Sequence, residues 1–305
     1  ILQETSTVPV NVEKFEGKSR AFVEIQQGCD HRCTFCIIPY GRGNNRSVPA
    51  GDIVQRIKKI VNNNYKEVVL TGVDITDYGK DLPGKPNLSN LIKRILKLVP
   101  GLKQLRLSSI DCAEITDDFW PLLSEERLMP HFHLSLQAGN NLILKRMKRR
   151  HTREQAIEFC NKVLSIKKNA TFGADIIAGF PTETNDMFKD SLRLIDECNL
   201  THLHVFPYSP REGTAAARMP QLEKTIIKKR ARELRKKGDE KMTNHLLKKI
   251  GHRDKLLIEQ TEESASNGKD QNFIKVKLNE KISEGNIVPC IYTGIQNDVL
   301  LAKRI

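Results

Sequence analysis

The sequence predicts an α/β chain, a partial (βα)6 barrel followed by a small C-terminal β-barrel. Three observations carry that reading. Six β-rich runs alternate with amphipathic helical stretches between residues 21 and 206, the pattern of a parallel sheet with helices outside it. A single long basic helical run then ends the alternation. Beyond Gly251, about 55 residues break into short β-rich runs separated by turn residues, which suits a small barrel.

The predicted strands are Ala21–Gln26, Glu67–Thr71, Gln104–Ser108, Phe132–Gln137, Thr171–Ile177 and His202–Phe206. Helical patterns fall near Gly51–Asn64, Leu88–Leu98, Thr116–Ser124, Thr152–Lys167 and Thr184–Cys198. Within Asp52–Val61, the residues Ile53, Ile57, Ile60 and Val61 share one helical face. An eight-unit barrel needs more chain than this region supplies. Leu222–Ile250 reads as a long basic helix, with Leu222, Ile226, the stem of Arg230 and Leu234 recurring every four residues. Gly238 is expected to interrupt it, and Gly251 to end it. The tail runs are Lys255–Gln260, Phe273–Leu278, Ile287–Thr293 and Val299–Lys303, with turns expected at Asn267-Gly268 and Asn297-Asp298. Residues 1–20 are polar and mixed, and read as a linker or the remnant of a preceding domain. Residues 21–250, basic helix included, then form one domain, and 251–305 the small barrel.

At 305 residues, 39% hydrophobic and 29% charged, the composition is that of an ordinary globular chain. No stretch approaches the ~20 apolar residues that cross a bilayer, and no signal-peptide pattern opens the chain. A cytoplasmic protein with no membrane partner is expected. The chain begins at Ile1 rather than methionine, so its beginning is expected to be missing. Net charge is +13 and the pI about 9.4, which favours a polyanionic partner such as nucleic acid. From Leu222 to Lys249 eleven basic residues oppose four acids. Lys145, Arg146, Lys148, Arg149, Arg150 and Arg153 form a second cluster with no acid among them. Seven cysteines is an odd number, and disulfides are not expected. Cys112, Cys160, Cys198 and Cys290 stand alone and read as small buried apolar residues.

The other three are clustered. Cys29, Cys33 and Cys36 have C-x3-C-x2-C spacing directly after the first predicted strand. Thiolates are soft ligands that select zinc or iron–sulfur clusters. A structural zinc site wants a fourth ligand, and although His31 lies in the loop, no second C-x2-C completes a knuckle. Electron-transfer ferredoxins also provide four cysteines. Three thiolates on a [4Fe–4S] cluster leave one iron open, which the amino and carboxylate groups of S-adenosylmethionine (SAM) can chelate. An electron from the cluster then cleaves the sulfonium C–S bond and yields a 5′-deoxyadenosyl radical.

Around that loop the chain resembles the radical SAM methylthiotransferases. The segment from Gly28 to Gly43 is similar to that family's cluster loop. Further matches are Leu70–Gly79, Leu134–Gly139, Ala178–Glu183 and Phe206–Thr214. The tail resembles the family's TRAM domain, a small RNA-binding β-barrel. The resemblance implies that SAM lies against Gly72, Asp74, Ser135, Gln137, Gly179 and Phe206, beyond the carboxyl ends of the strands. Structural readings stay open: Gly72 and Gly179 also suit turns, and Phe206 a core. Arg149 suits either the SAM carboxylate or an RNA phosphate. Family members carry an N-terminal domain whose further cysteines hold a second [4Fe–4S] cluster, implicated in sulfur supply; nothing before Cys29 matches it. Sulfur insertion is therefore expected to need that domain.

The resemblance further implies methylthiolation at C2 of N6-threonylcarbamoyladenosine 37 in the tRNA anticodon loop, served by an electron donor and a sulfur donor. Rivals are isopentenyladenosine 37, a ribosomal-protein aspartate, or, outside enzymes, an RNA-binding module with a structural metal knuckle. Two His-x-His pairs, His131/His133 and His202/His204, each put both imidazoles on one strand face. Without a nearby carboxylate motif they read as interior histidines or substrate contacts rather than metal ligands.

Overall fold

The computed structural model describes residues 19–305, so the expected linker up to residue 18 lies outside the described residues. The chain runs β1 (Arg20–Gln27), α1 (Ile38–Arg42), β2 (Arg46–Ser47), α2 (Ala50–Asn62), β3 (Glu67–Gly72), α3 (Leu88–Leu98) and β4 (Gln104–Leu107). There follow β5 (His131–Gln137), α4 (Asn141–Met147), α5 (Arg153–Ile166), β6 (Thr171–Ala178), α6 (Asn185–Glu197), β7 (Leu200–Pro207) and α7 (Lys224–Lys249). The tail contributes β8 (Arg253–Thr261), β9 (Ser266–Asp270), β10 (Lys275–Leu278), β11 (Ile287–Gln296) and β12 (Val299–Arg304).

Strands β1, β3 and β4 pair in parallel, as do β5, β6 and β7. Ile110 joins the two sets. Its N–H donates to the His133 carbonyl at 2.9 Å, and its own carbonyl accepts from the Ser135 N–H at 3.0 Å. Six parallel strands thus follow one another in chain order around an arc, as the βα alternation predicts. On β5 the two-residue pleat is plain. Phe132, Leu134 and Leu136 are buried in the core under the helices, whereas His131, His133 and Ser135 take the other face, toward the lumen.

The tail closes into a barrel of order β10-β12-β11-β8-β9 around Leu256, Ile258, Val276, Leu278 and Leu300. It sits at the amino ends of the parallel strands. Phe273 stacks on His131 at 6.0 Å, with the guanidinium carbons of Arg20 and Arg106 each 4.9 Å from its ring. Asn272 Nδ2 donates to the carbonyls of Pro130 and Asn169 at 3.2 and 2.8 Å. The small barrel therefore plugs one end of the large one.

Several expectations are corrected. Gly238 does not interrupt α7. A Cβ there would lie 3.0 Å from the Leu203 Cβ, so the glycine lets helix and strand approach, at a cost of only about 1 kcal/mol in propensity. The four-residue spacing also slips. Ile226 is exposed while Ile227, Arg230, Ala231 and Leu234 are buried, because the buried stripe alternates steps of three and four. Thr116–Ser124 holds a 3-10 helix, Asp117–Ser124, with Pro121 inside it. The short helix α4 was not expected. Asn267-Gly268 is no turn but part of β9, where a Cβ on Gly268 would meet the Leu257 carbonyl oxygen at 2.0 Å. Phe273 belongs to the turn before β10, with φ +68°. Asn297-Asp298 is a turn, both residues having positive φ. Cys160, Cys198 and Cys290 are buried, whereas Cys112 is only half-buried.

Candidate functional site

The cluster loop leaves the carboxyl end of β1 at Gly28. Its φ is +68°, and a Cβ there would lie 1.9 Å from the Asn44 carbonyl oxygen, so only glycine fits. Cys29 N–H then donates to the Gly43 carbonyl at 3.1 Å. Farther on, Thr34 donates through its N–H to Met147 O (3.1 Å) and through its hydroxyl to Arg146 O (2.8 Å). The loop is thereby tied to its own return and to the end of α4.

Cys29, Cys33 and Cys36 are each half-buried. Burial pushes the free Cys29 thiol up to about 12 and raises Cys36 as well. Arg149 compensates: its Nη1 lies 3.8 Å from Cys33 Sγ, while Nη2 donates to Asp111 at 2.9 Å and to the Ser135 carbonyl at 2.7 Å. Three soft donors beside a fixed guanidinium fit an iron–sulfur cluster, whose thiolate ligands carry negative charge. His31 pairs with carboxylates, its Nε2 2.9 Å from Asp77 and 3.3 Å from Asp74. Although burial opposes its protonation, those two carboxylates outweigh it and raise the imidazole to about 9.

The remaining expected SAM residues gather at the same end. Gly72 closes β3, and a Cβ on it would meet the Gln26 carbonyl oxygen at 2.8 Å; close approach explains this glycine, not a turn. Asp74 N–H donates to Gln26 Oε1 at 2.8 Å, and its carboxylate lies with Cys29 and His31 in one group of ligand atoms within 4.8 Å. Ser135 meets the cluster loop through Arg149. Gln137 ends β5 after a register shift and has φ +68°. Gly179 has φ +73°, its place taken up by Ile227 of α7, and it is linked to the cluster loop through its neighbour Phe180, edge-on to Phe35. Phe206 is 52% exposed, which rules out the core reading.

The second basic cluster is mostly engaged inside the fold. Arg149 and Arg150 bind Asp111, Arg150 also reaches Glu114 at 2.5 Å, Arg146 donates to Thr182, and Arg153 to the Gly139 carbonyl. Only Lys145 and Lys148 stand as exposed lysines. Sequence reasoning missed Asp111 and Glu114, whose only signal is their position just beyond β4.

It also missed Asp175. The expected absence of a carboxylate near the His-x-His pairs is corrected by β6, which lies between their strands and carries one. Asp175 Oδ1 is 2.9 Å from His133 Nε2 and 3.2 Å from His204 Nδ1. His131 and His202 are interior, their rings 4.4 Å apart.

A parallel βα arc with a three-cysteine loop at the carboxyl end of its first strand defines a radical SAM protein. The family model described as the radical SAM superfamily matches residues 23–195. Similarity to solved structures agrees on the fold: a radical SAM methyltransferase of Kitasatospora setae has TM-score 0.52 at 14% identity, over 65% of this chain and 38% of that one. Coproporphyrinogen III oxidase of Escherichia coli has TM-score 0.51 at 19%, over 75% and 54%. Among curated proteins, the threonylcarbamoyladenosine tRNA methylthiotransferase of Rickettsia prowazekii is 54% identical over 93% of this chain and 67% of its own length. That of Aquifex aeolicus is 36% identical over 90% and 65%. A tRNA-2-methylthio-N6-dimethylallyladenosine synthase of Shouchella clausii is 40% identical over 70% and 41%. The chain belongs to the radical SAM methylthiotransferase family. It spans about two thirds of the length of the threonylcarbamoyladenosine relatives. Membership implies a [4Fe–4S] cluster and SAM. Among the described residues no helix is long and apolar enough to cross a membrane.

Proposed function

We propose that this chain is the SAM-cleaving, RNA-holding part of an enzyme that methylthiolates C2 of N6-threonylcarbamoyladenosine 37 in the tRNA anticodon loop. The observation that carries the reading is 54% identity over 93% of the chain to a protein named for that activity. Similarity to the dimethylallyladenosine synthase extends over only 70%. In this reading residues 21–250 form the radical SAM domain and 251–305 a TRAM-like RNA-binding barrel.

Cys29, Cys33 and Cys36 would hold the cluster, leaving one iron open. Gly72, Asp74, Ser135, Gln137, Gly179 and Phe206 would hold SAM. Cluster and SAM together supply a 5′-deoxyadenosyl radical able to take hydrogen from C2 of the base. The chain's own part is positional. Arg149 sets positive charge beside Cys33 and is itself fixed by Asp111 and the Ser135 carbonyl. Among the described residues Phe273, stacked on His131, covers the lumen end away from the cluster. Exposed Lys228, Lys229 and Arg232 on α7 offer charge to RNA phosphates, and an anticodon-loop base is unstacked more cheaply than one in a helix. A second [4Fe–4S] cluster in an N-terminal domain, an electron donor and a sulfur donor complete the scheme.

Nucleoside mass spectrometry of tRNA from a strain lacking the complete protein tests this. Methylthio-threonylcarbamoyladenosine should vanish while methylthio-isopentenyladenosine persists. The opposite pattern moves the assignment to isopentenyladenosine, and intact tRNA with an unmodified ribosomal aspartate overturns the RNA reading.

A further inference from the structure

We propose that His204, fixed by Asp175 beside His133, receives the acidic N6 substituent of the substrate base inside the barrel lumen. The inference rests on the threonylcarbamoyladenosine reading above and assigns residues to it.

Position comes first. His133 lies two residues before Ser135 on the same face of β5, about 6–7 Å along the strand, and the Ser135 carbonyl anchors the guanidinium that touches Cys33. The three polar side chains therefore sit one layer below the cluster. Beneath them His131, His202 and Phe273 close the lumen. A group entering from the cluster end stops at this triad.

The arrangement is built for a polar ligand. Gly173 makes room for it, since a Cβ there would lie 2.4 Å from His133 Nδ1. Both imidazoles converge on one oxygen, Asp175 Oδ1, which, among the described residues, leaves Asp175 Oδ2 and His204 Nε2 to a ligand. The His204 side chain is 62% exposed, although it sits at the open edge of an arc whose outer face is apolar. Its bond to Asp175 raises the imidazole's affinity for a proton. Burial works against ionisation of Asp175, yet the two histidines hold its carboxyl well below the usual range. The site thus offers an imidazole N–H and a carboxylate oxygen side by side.

A threonylcarbamoyl group presents the complement: a free carboxylate, a hydroxyl and ureido N–H groups. A dimethylallyl group presents only carbon and would leave the triad unpaired. Sites built to hydrogen-bond a substituent reject analogues lacking it far more strongly than apolar pockets discriminate by size. The same two imidazoles and carboxylate also form a divalent-metal ligand set, which the test separates.

The complete protein, with its cluster and SAM, is titrated with two anticodon stem–loop RNAs. They differ only in carrying threonylcarbamoyl- or dimethylallyl-adenosine at position 37. The readout is the ratio of affinities, so a general loss of RNA binding cancels. The unaltered protein should prefer the acidic substituent at least tenfold, and His204→Gln should bring the ratio near one. Asp175→Asn should do the same, which keeps the test valid if one variant misfolds. No preference in the unaltered protein overturns the substrate reading itself. A preference that survives both substitutions overturns this inference alone. So does one equivalent of non-cluster metal that copurifies and is lost in His133→Ala, which would make the triad a metal site.

Discussion

Arg230 of α7 and Glu183 of the loop between β6 and α6 form a buried ion pair, Nη1 to Oε2 at 2.8 Å, with side chains only 6% and 1% exposed. Nη1 also donates to the Glu183 carbonyl and Nη2 to Asn185. The most basic helix of the protein is thus clamped to the barrel by one of its own cations. Burial already pushes the Glu183 carboxyl up to about 7. Replacing Arg230 with alanine should therefore cost about 3–5 kcal/mol above that pH, where the unpaired carboxylate is ionised, and less below it, where it takes up a proton. Urea unfolding of the variant measures it; a loss under 1 kcal/mol would mean that Glu183 finds another partner or water.

The cations α7 does expose should behave differently. Lys228→Glu, Lys229→Glu and Arg232→Glu together should weaken tRNA binding without lowering stability. Every phosphate that no longer meets a cation reduces the slope of log affinity against log salt by about 1. Unchanged affinity and slope would make this face a merely solvated one.

Iron content distinguishes the cysteines. After anaerobic reconstitution this chain should bind about four irons if one [4Fe–4S] cluster forms. Cys33→Ala should abolish the cluster's absorbance. Cys160→Ala should keep it, because Cys160 is buried in the hydrophobic core under the helices. Tightly bound zinc with no iron-dependent absorbance would sink the radical SAM chemistry.

Acid should destabilise the fold through buried neutral histidines. Burial pulls His202 to about 3 and His151 and His245 to about 4, and lowers His131 too. The unfolded chain, with ordinary histidines near 6.5, therefore takes up protons that the folded chain does not bind. Stability is full above that value and falls as pH drops from about 6.5 toward 4, by about 1.4 kcal/mol per unit for each histidine. Opposing this, burial raises the Glu183 carboxyl to about 7, so the folded chain takes up that proton first and offsets about one histidine in this range. His31 and His204, both raised, oppose the trend only near and above pH 6.5. Denaturation midpoints across this range measure the effect, and His202→Gln should flatten it by one proton.

Local pattern determined much of this protein from the sequence alone. The six strands of the arc follow from two-residue and 3.6-residue periodicities, and the three-cysteine loop from spacing within a few residues. Both are short-range properties of the chain. The Asn297-Asp298 turn is legible for the same reason, since its backbone conformation belongs to the residues themselves. What only the tertiary structure decided is which side chains meet. Arg149 reads as a partner for the SAM carboxylate or an RNA phosphate until Asp111 and Cys33 appear beside it. Gly238 reads as a break until Leu203 packs on it. His133 and His204, 71 positions apart, read as separate strand histidines until β6 brings Asp175 between them. Strand register and helix docking set those encounters, and neither is encoded in any one segment.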